Sequence, residues 1–245
     1  MERARECFMR AVVIVPCFNE AKRLRPDGFL PLCATADLLF VDNGSSDGTG
    51  ALIEAFCARE PRASLVSLST NGGKAEAVRQ GMLRALAKGA VATGYLDADL
   101  ATSAEEMGEI VRALDSAEVA LGSRIPRLGA RIDRTPLRNL LGRGFATLAS
   151  AALGVSVHDT QCGAKAFRAG PALTAALAEP FHARWAFDVE LIGRLLREGV
   201  LPGQFIEVPL RSWRDVPGSK LSALDLPRMA IELVRIRAAL RKPRP

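Results

Sequence analysis

The sequence predicts an α/β fold in which a mostly parallel sheet is flanked by helices. Three short apolar runs of strand length lie at 11–16, 38–41 and 63–68, and each is continuous rather than alternating, which is typical of strands buried on both faces. Helical patterns at about 48–60 and 72–88 lie between and after these runs. Alternating strands and helices indicate parallel strands joined by crossover helices.

The same alternation continues beyond residue 90 and makes the first half Rossmann-like, an arrangement found in many nucleotide-binding units. The further elements that we expect are a strand at 91–97, a helix at 103–114, a strand at 117–122, an apolar helix ending at Leu153, a helix at 185–198 and a strand at 205–210. No internal repeat or linker is evident in the sequence, so we expect one domain over 1–245.

Composition favours an anionic partner and disfavours nucleic acid. The chain of 245 residues has 33 basic and 27 acidic side chains, a net charge of +6. The basic residues are not interleaved with aromatic ones, and no zinc-finger or RNP-type pattern occurs. The five cysteines are scattered without paired spacing, so we expect reduced thiols in a cytoplasmic protein. We expect neither a signal peptide nor a segment that spans a bilayer.

Two carboxylates follow the predicted strand at 91–97, in the stretch Tyr95-Leu96-Asp97-Ala98-Asp99-Leu100. In open α/β sheets, ligands bind in the crevice beyond the carboxyl ends of the strands. Hard divalent cations prefer oxygen ligands. Asp97 and Asp99 are therefore candidates for holding a cation against a diphosphate.

A polar cluster, Pro16-Cys17-Phe18-Asn19-Glu20, follows the first predicted strand and would line the same crevice. Phe18 could stack on a base, and Glu20 could accept hydrogen bonds from ribose hydroxyls. The alternative is that Asn19 caps a helix while Phe18 belongs to the core.

A second cluster, at 41–49, follows the second predicted strand and is dense in turn and capping residues. Asp42 and Asn43 offer acceptors to a base edge, whereas Asp47 is more simply an N-cap. Lys74 lies near the start of the helical pattern at 72–88, where it could assist a diphosphate or be a solvent-exposed lysine.

The ordered set of motifs resembles the inverting family 2 glycosyltransferases. The motifs are Val15-Pro16-Cys17-Phe18-Asn19-Glu20, Val41-Asp42-Asn43-Gly44-Ser45-Ser46-Asp47-Gly48-Thr49, Asn71-Gly72-Gly73-Lys74 and Asp97-Ala98-Asp99. Three later motifs, Gly122-Ser123-Arg124, 159–165 and 184–190, narrow the resemblance to the dolichyl-phosphate glucosyltransferase branch. The resemblance covers about residues 11–221.

This resemblance implies a GT-A fold that binds a nucleotide diphosphate sugar together with Mg²⁺ or Mn²⁺, and we expect UDP-glucose or UDP-N-acetylglucosamine as the donor. It divides the domain into a nucleotide-sugar-binding half (11–122), an acceptor-binding half (123–221) and a C-terminal helix and tail (222–245). The donor-binding residues that it implies are Pro16, Phe18, Asn19, Glu20, Asp42, Asn43, Lys74, Asp97 and Ala98, with Asp99 and Asp97 as metal ligands.

The acceptor that the resemblance implies is a polyprenyl phosphate. The implied acceptor-binding residues are Arg124, Arg131, Arg138 and Lys220. The basic run at 124–143 suits a phosphate because guanidinium groups bind phosphate oxygens bidentately, although it could also be a solvated loop. Trp213 and 218–220 match the branch's closing motif and suggest a loop over the donor or acceptor.

Asp188 occupies, by resemblance, the position of the family's catalytic base, and Asp159 is the rival for this role. A carboxylate near a hydroxyl nucleophile would remove its proton during attack. A phosphate oxygen is already anionic near neutral pH, in which case Asp188 would orient the acceptor instead.

One departure from the branch keeps other functions open. Asn43 stands where the branch usually has an aspartate that accepts the ring N–H of uracil. The alternatives are a glycosyltransferase for a small natural-product or carrier-bound acceptor and a non-catalytic nucleotide-sugar-binding protein. A sugar nucleotidyltransferase would need a Gly-rich triphosphate loop after the first strand, where this chain has Pro16-Cys17-Phe18-Asn19-Glu20.

Apolar residues recur at helical spacing over 226–240, with several arginines around them. Such a basic amphipathic helix could contact the inner surface of an anionic membrane peripherally. It could equally pack on the body of the domain, which we slightly prefer.

Overall fold

The computed structural model describes residues 11–216 and 226–241, with the backbone alone at 136–138 and 226–227. The strands are β1 (Ala11–Cys17), β2 (Asp37–Asp42), β3 (Ala63–Ser67), β4 (Ala92–Leu96), β5 (Val119–Ser123), β6 (Arg131–Asp133), β7 (Ala164–Arg168), β8 (Phe205–Pro209) and β9 (Ser212–Arg214). The α-helices are α1 (Thr49–Cys57), α2 (Lys74–Ala87), α3 (Ala104–Arg112), α4 (Pro136–Leu153), α5 (Pro171–Ala178), α6 (Phe187–Arg197) and α7 (Leu226–Leu240). Short 3-10 helices lie at Pro26–Ala34, Ala113–Asp115 and Pro202–Gln204.

Seven strands form one sheet in the order β3-β2-β1-β4-β7-β5-β8. Strands β3, β2, β1 and β4 are parallel, and β8 is parallel to β5. Strand β7 is antiparallel to both of its neighbours, β4 and β5. Because the chain passes from one side of β1 to the other between β3 and β4, the carboxyl ends of β1 and β4 form a topological switch point, where open α/β sheets bind ligands.

Apolar side chains cover both faces of this sheet. Helices α1 and α3 and the 3-10 helix Pro26–Ala34 pack on one face through side chains that include Phe29, Phe56 and Met107. Helices α2, α5 and α6 pack on the other face. Burial on both faces explains why the parallel strands are continuously apolar in sequence.

A third buried cluster joins α4, α6 and α7. Helix α7 contributes Met229, Leu233 and Ile236, which are 2–4% exposed. This packing confirms the preferred interpretation of the C-terminal amphipathic helix. Of the helices within 11–216 and 226–241, none is both long enough and apolar enough to cross a membrane.

Strands β6 and β9 form a second, two-stranded parallel sheet in which Ile132 lies opposite Trp213. Trp213 is 9% exposed. It therefore lies in a strand, and its expected position in a closing loop is wrong. Residues 218–220, including Lys220, lie outside the described residues.

Strand β7 was not predicted, because Ala164-Lys165-Ala166-Phe167-Arg168 neither alternates strictly nor forms a continuous apolar run. The predicted helix at 72–88 begins later, at Lys74. Asn71 Oδ1 accepts a hydrogen bond from the backbone N–H of Gly73, whose φ of +87° belongs to a turn that glycine adopts readily.

Candidate active site

The loops after β1 and β2 are joined by hydrogen bonds, so the two sequence clusters at 16–20 and 41–49 do lie together. The backbone N–H of Asn19 donates to Ser45 Oγ over 3.0 Å, and Asn19 Oδ1 accepts from the N–H of Ser46 over 2.9 Å. Asn19 has a φ of +53°, which is strained for a non-glycine residue. Its side chain thus joins two loops rather than capping a helix.

Glu20 and Asp47 complete this junction. Glu20 accepts hydrogen bonds from Arg23 at 2.6 and 2.8 Å and is thereby oriented within the crevice. Asp47 Oδ1 accepts from the N–H of Thr49 over 3.1 Å, which satisfies a free donor at the start of α1, although Gly48 occupies the N-cap position itself. Phe18 is half-buried and lies outside the buried core clusters.

Asp42 is the last residue of β2 and Asn43 follows it, and both are buried, at 7% and 2% exposed. Asp42 Oδ1 accepts from the N–H of Ser45 over 3.0 Å. The Asn43 amide donates to Asn71 Oδ1 over 2.8 Å, and Asn43 Oδ1 accepts from the N–H of Gly72 over 3.1 Å. Asn43 therefore fixes the loop before α2, while its amide oxygen keeps a second lone pair.

The acidic motif forms a tight turn at the end of β4. The N–H of Asp97 donates to the carbonyl oxygen of Gly163 over 2.9 Å. Asp99 Oδ1 accepts from the N–H of Ala101 over 3.1 Å, and the intervening Leu100 has a φ of +52°, a strained value for leucine. Ala98 is 7% exposed, so the alanine packs inward.

Lys74, the first residue of α2, reaches the acidic motif. Its Nζ lies 2.5 Å from Asp97 Oδ1 and 5.7 Å from the centroid of the Tyr95 ring. Although desolvation opposes the charge, the carboxylates of Asp97 and Asp188 raise the pKa of Lys74. The charged lysine therefore connects the metal-binding candidates with the candidate acceptor side of the crevice.

The acidic pair fits a divalent cation by its chemistry. Desolvation, followed by the charge of Asp97, raises the pKa of Asp99, so this carboxylate lacks a sufficient positive partner. A nearby cation would relieve both effects. Over the described parts of the chain no group of three or more His, Cys, Asp or Glu side chains is placed to hold a metal. Two carboxylates suffice for Mg²⁺, which commonly binds one or two carboxylates together with substrate phosphates.

Asp188 lies in the first turn of α6 and faces β4 and β7. Its Oδ1 accepts a hydrogen bond from the hydroxyl of Tyr95 and lies 3.0 Å from Lys165 Nζ. Asp188 is 7% exposed, and Tyr95 and Lys165 are fully buried. Burial raises the pKa of Asp188 to about 7.

Asp159 is engaged by Arg124. The guanidinium donates to both carboxylate oxygens at 2.7 and 2.8 Å, and the backbone N–H of Arg124 donates to Oδ2 at 3.0 Å. Although burial opposes ionisation, these contacts lower the pKa of Asp159. A carboxylate held in this way is a weak base, so the geometry favours Asp188 over Asp159 as the acceptor-facing acid.

Within the basic run at 124–143, the structure brings Arg124 and Arg134 together. The guanidinium groups of Arg124 and Arg134 lie 5.3 and 5.8 Å from the centroid of the Trp213 ring. Arg131 is exposed on β6, and Arg127 donates to the carbonyl oxygen of Pro209. Arg138 lies in α4, but its side chain is outside the described part of the structure.

Several residues of the site were assigned no role in the sequence analysis. Arg23 stands three residues after Glu20, a spacing that favours ion pairs in helices and turns. Lys165 is in a quoted motif, and a lysine between alanines in a strand would have indicated a buried ion pair. Arg134 was predicted as part of the basic run, but nothing local in the sequence indicates that it lies near Trp213.

The chain has the GT-A fold, and similar solved structures include two glycosyltransferases. A mannosyl-3-phosphoglycerate synthase from Rubrobacter xylanophilus aligns with a TM-score of 0.67 and 18% identity, covering 95% of this chain and 74% of that one. The mannosyltransferase PcManGT from Pyrobaculum calidifontis, solved with GDP-mannose and Mn²⁺, aligns with a TM-score of 0.65 and 19% identity, covering 96% and 65%.

Sequence similarity identifies the family. Residues 12–172 match the Glycosyl transferase family 2 model, and the chain belongs to this family. A dolichyl-phosphate beta-glucosyltransferase of Trichomonas vaginalis is 32% identical over 242 residues, covering 91% of this chain and 69% of the relative. A polyprenol monophosphomannose synthase of Mycolicibacterium smegmatis is 29% identical over 230 residues, covering 89% and 83%.

Proposed function

We propose that this enzyme transfers a hexose, with inversion, from a nucleotide diphosphate sugar to a polyprenyl phosphate. The observation that carries the proposal is the grouping of Asp97, Asp99, Lys74 and Asp188 at the switch point of the sheet. An acidic pair beside a lysine can hold a cation and a diphosphate, and Asp188 interacts electrostatically with the same lysine. Relatives named as dolichyl-phosphate glucosyltransferases and as a polyprenol monophosphomannose synthase support the lipid phosphate acceptor.

For the donor, we propose a uridine nucleotide, with UDP-glucose ahead of UDP-N-acetylglucosamine. Phe18 would stack on the base, Glu20 and Asp97 would hold the ribose, and Asp42 with the remaining lone pair of Asn43 would accept from the base edge. The glucosyltransferases among the relatives support this choice over a guanosine donor. The mannose synthase is the observation that favours GDP-mannose as second candidate.

Asp99 and Asp97 would hold Mg²⁺ or Mn²⁺, and a solved neighbour of the same fold contains Mn²⁺. When bound, the cation stabilises the negative charge that develops on the leaving diphosphate. Lys74 binds the same diphosphate from the N-terminus of α2, where helix N–H groups also favour anions. The acceptor oxygen forms a bond to the anomeric carbon, and the electron pair of the broken bond leaves with the nucleoside diphosphate.

On the acceptor side, Arg124 and Arg134 would bind the phosphate from the edge of Trp213. Both guanidinium groups lie over the indole ring. This stacking would direct the N–H donors of both arginines toward the same region, where the phosphate would bind. A phosphate nucleophile needs no base, so Asp188 would orient the acceptor rather than deprotonate it.

The lipid acceptor requires the enzyme to approach a bilayer, and α4 and α7 offer a surface for this. Leu140 and Leu148 of α4 and Ile231 and Val234 of α7 are 52–69% exposed, and we call these four residues the apolar face. Exposed arginines flank it, namely Arg143, Arg228, Arg235 and Arg241. Apolar side chains among arginines suit an anionic lipid surface, so we propose peripheral contact there.

A donor panel tests the proposed donor and distinguishes the alternatives. UDP-sugars, GDP-mannose and dTDP-glucose are scored with Mn²⁺ by thermal stabilisation, since a ligand at a hundred times its Kd adds about 2.7 kcal/mol of stability. We expect UDP-sugars to stabilise the protein most and to release UDP when polyprenyl phosphate is added. Binding without release would indicate a non-catalytic binding protein, and release only with hydroxyl compounds would indicate a soluble acceptor.

A further inference from the structure

A fully buried lysine lies beneath the candidate acceptor side of the crevice, and the proposed function does not use it. Lys165 is 0% exposed. In the antiparallel ladder of β4 and β7, Lys165 is paired with Tyr95, so both side chains project from the same face of the sheet. Tyr95 and Phe187 belong to the apolar cluster on that face, which α6 covers.

Both of these buried side chains act on a single oxygen of Asp188. The Tyr95 hydroxyl donates to Oδ1, and Lys165 Nζ lies 3.0 Å from the same atom. Lys165 Nζ also donates to the carbonyl oxygen of Cys162, which fixes the position of the ammonium. Two donors on one oxygen determine the orientation of the carboxylate.

Neither charge of this pair is stable there alone. Burial lowers the pKa of Lys165 to about 7 and raises the pKa of Asp188 to about 7. The other charged groups that act on the pair come from several elements: Lys74 of α2 acts on both, and Cys162, Asp159 and Arg124 act on Lys165. Lys74 cannot cancel the charge of Asp188 alone, because its Nζ lies 2.5 Å from Asp97 Oδ1.

We propose that Lys165 is a positioning residue that sets the affinity for the acceptor by holding the Asp188 carboxyl group in one orientation. The inference rests on the proposed function, in which Asp188 orients the acceptor. Without Lys165, Oδ1 of Asp188 would lose one of its two partners. The buried carboxylate, which is not stable alone, would then take up a proton and lose its orientation toward the acceptor.

The test is steady-state kinetics of Lys165→Met with a polyprenyl phosphate as the varied substrate. We expect the KM for the acceptor to rise about tenfold or more, because a shift of about 1 Å in a positioning group can cost two orders of magnitude. The Kd for the nucleotide sugar should change by less than about twofold, because electrostatic effects fall with distance from the altered charge. Lys88→Met is the matched control. Lys88 is exposed and lies just beyond the C-terminal end of α2, whereas Lys74 lies at its N-terminal end.

A second substitution tests whether Lys165 acts through Asp188. Asp188→Asn should also raise the KM for the acceptor, and adding Lys165→Met to it should raise the KM no further, because Lys165 acts through Asp188. An unchanged KM in Lys165→Met would overturn the inference. Increases that multiply in the double variant would do so too, because the two residues would then act independently.

Folding and the proposed function are checked separately. If Lys165→Met does not fold, Tyr95→Phe decides, since it removes the other donor to the same oxygen of Asp188. The KM for the acceptor should then rise, and an unchanged KM would contradict the inference. If the wild-type enzyme transfers to lipid phosphate and these KM values do not respond, only the inference fails. If the wild-type enzyme transfers no sugar at all, the proposed function is wrong, and the inference that rests on it is wrong as well.

Discussion

A single glycine, Gly163, determines where the Asp97 carboxylate can lie in the crevice. Gly163 is the residue opposite Asp97, and a Cβ atom built there would overlap the Asp97 carboxylate. The carbonyl oxygen of Gly163 also accepts from the N–H of Asp97 over 2.9 Å. Because any side chain at this position would displace the acid, the glycine is required for the proposed cation site rather than for backbone freedom.

Gly163→Ala should therefore weaken cation-dependent turnover. We expect a loss of about tenfold or more, since a shift of about 1 Å in a positioned group can cost two orders of magnitude in rate. The measurement is activity against Mn²⁺ concentration. Gly203→Ala is the control, because a Cβ atom at Gly203 meets no atom within 4 Å. Equal turnover in the two variants would contradict the assignment of Asp97.

Asp159→Asn should reveal the Arg124 pair through the pH dependence of stability. The pKa of Asp159 is lowered in the folded state, so its ionisation stabilises the fold above about pH 4, the ordinary aspartate pKa, and this stabilisation is lost as the pH falls further. At neutral pH the variant should lose about 3–5 kcal/mol. Urea unfolding of the wild type and the variant from pH 3 to 7 measures this loss. If the difference in their free energies of unfolding does not become smaller in acid, the Asp159–Arg124 ion pair is not its cause.

At the scale of elements, α7 supports the start of α6. Glu232 of α7 accepts hydrogen bonds from the backbone N–H groups of Arg184, Trp185 and Ala186, at 2.8–3.1 Å. These donors lie immediately before Phe187, the first residue of α6, and would otherwise be unsatisfied. The helix that carries Asp188 is thus held by the C-terminal helix.

Glu232→Gln should lower stability by about 1–3 kcal/mol, because three N–H groups lose a charged acceptor. Denaturant unfolding measures the change, with Glu54→Gln, an exposed glutamate of α1, as the matched control. We also expect the variant to have a higher KM for the acceptor, since Asp188 would be less well held. Stability equal to that of the control would show that α6 does not depend on α7.

Local sequence patterns predicted some of these strands and helices and missed others. Strands β1 to β4 and their helices were predicted because continuous apolar runs and helical periodicity are local properties. Strand β7 was not, since the burial of Lys165 depends on Tyr95 and Asp188, which are distant in sequence. Likewise, the sequence placed Asn19 and Ser46 after the first two predicted strands, but their hydrogen bond depends on two loops meeting.

At the scale of the whole molecule, the charged crevice and the apolar face define how the enzyme would meet a lipid substrate. Strands from both predicted halves share one sheet, with β7 and β8 beside strands of the first half. We propose on this basis that the two halves act as one domain. The apolar face belongs to helices α4 and α7, which share the buried cluster with α6 and its Asp188.

Replacing Ile231 and Val234 with serine should weaken binding to anionic vesicles without unfolding the protein, because both side chains are exposed. Cosedimentation with vesicles of phosphatidylglycerol and phosphatidylcholine measures this. Binding of the wild-type protein should fall at high salt, because salt screens the arginines. Equal binding to vesicles of phosphatidylcholine alone would contradict the proposed electrostatic contribution, and unchanged binding of the serine variant would contradict the apolar one.

The most direct measurement of the central claim is the transfer of labelled glucose from UDP-glucose to a polyprenyl phosphate in the presence of Mn²⁺. We predict that the label enters the lipid phase as a β-linked glycosyl phosphate, that UDP is released in equal amount, and that Asp99→Ala abolishes the reaction. Full activity of Asp99→Ala, or a lipid phase without label for UDP-glucose and GDP-mannose alike, would contradict the claim.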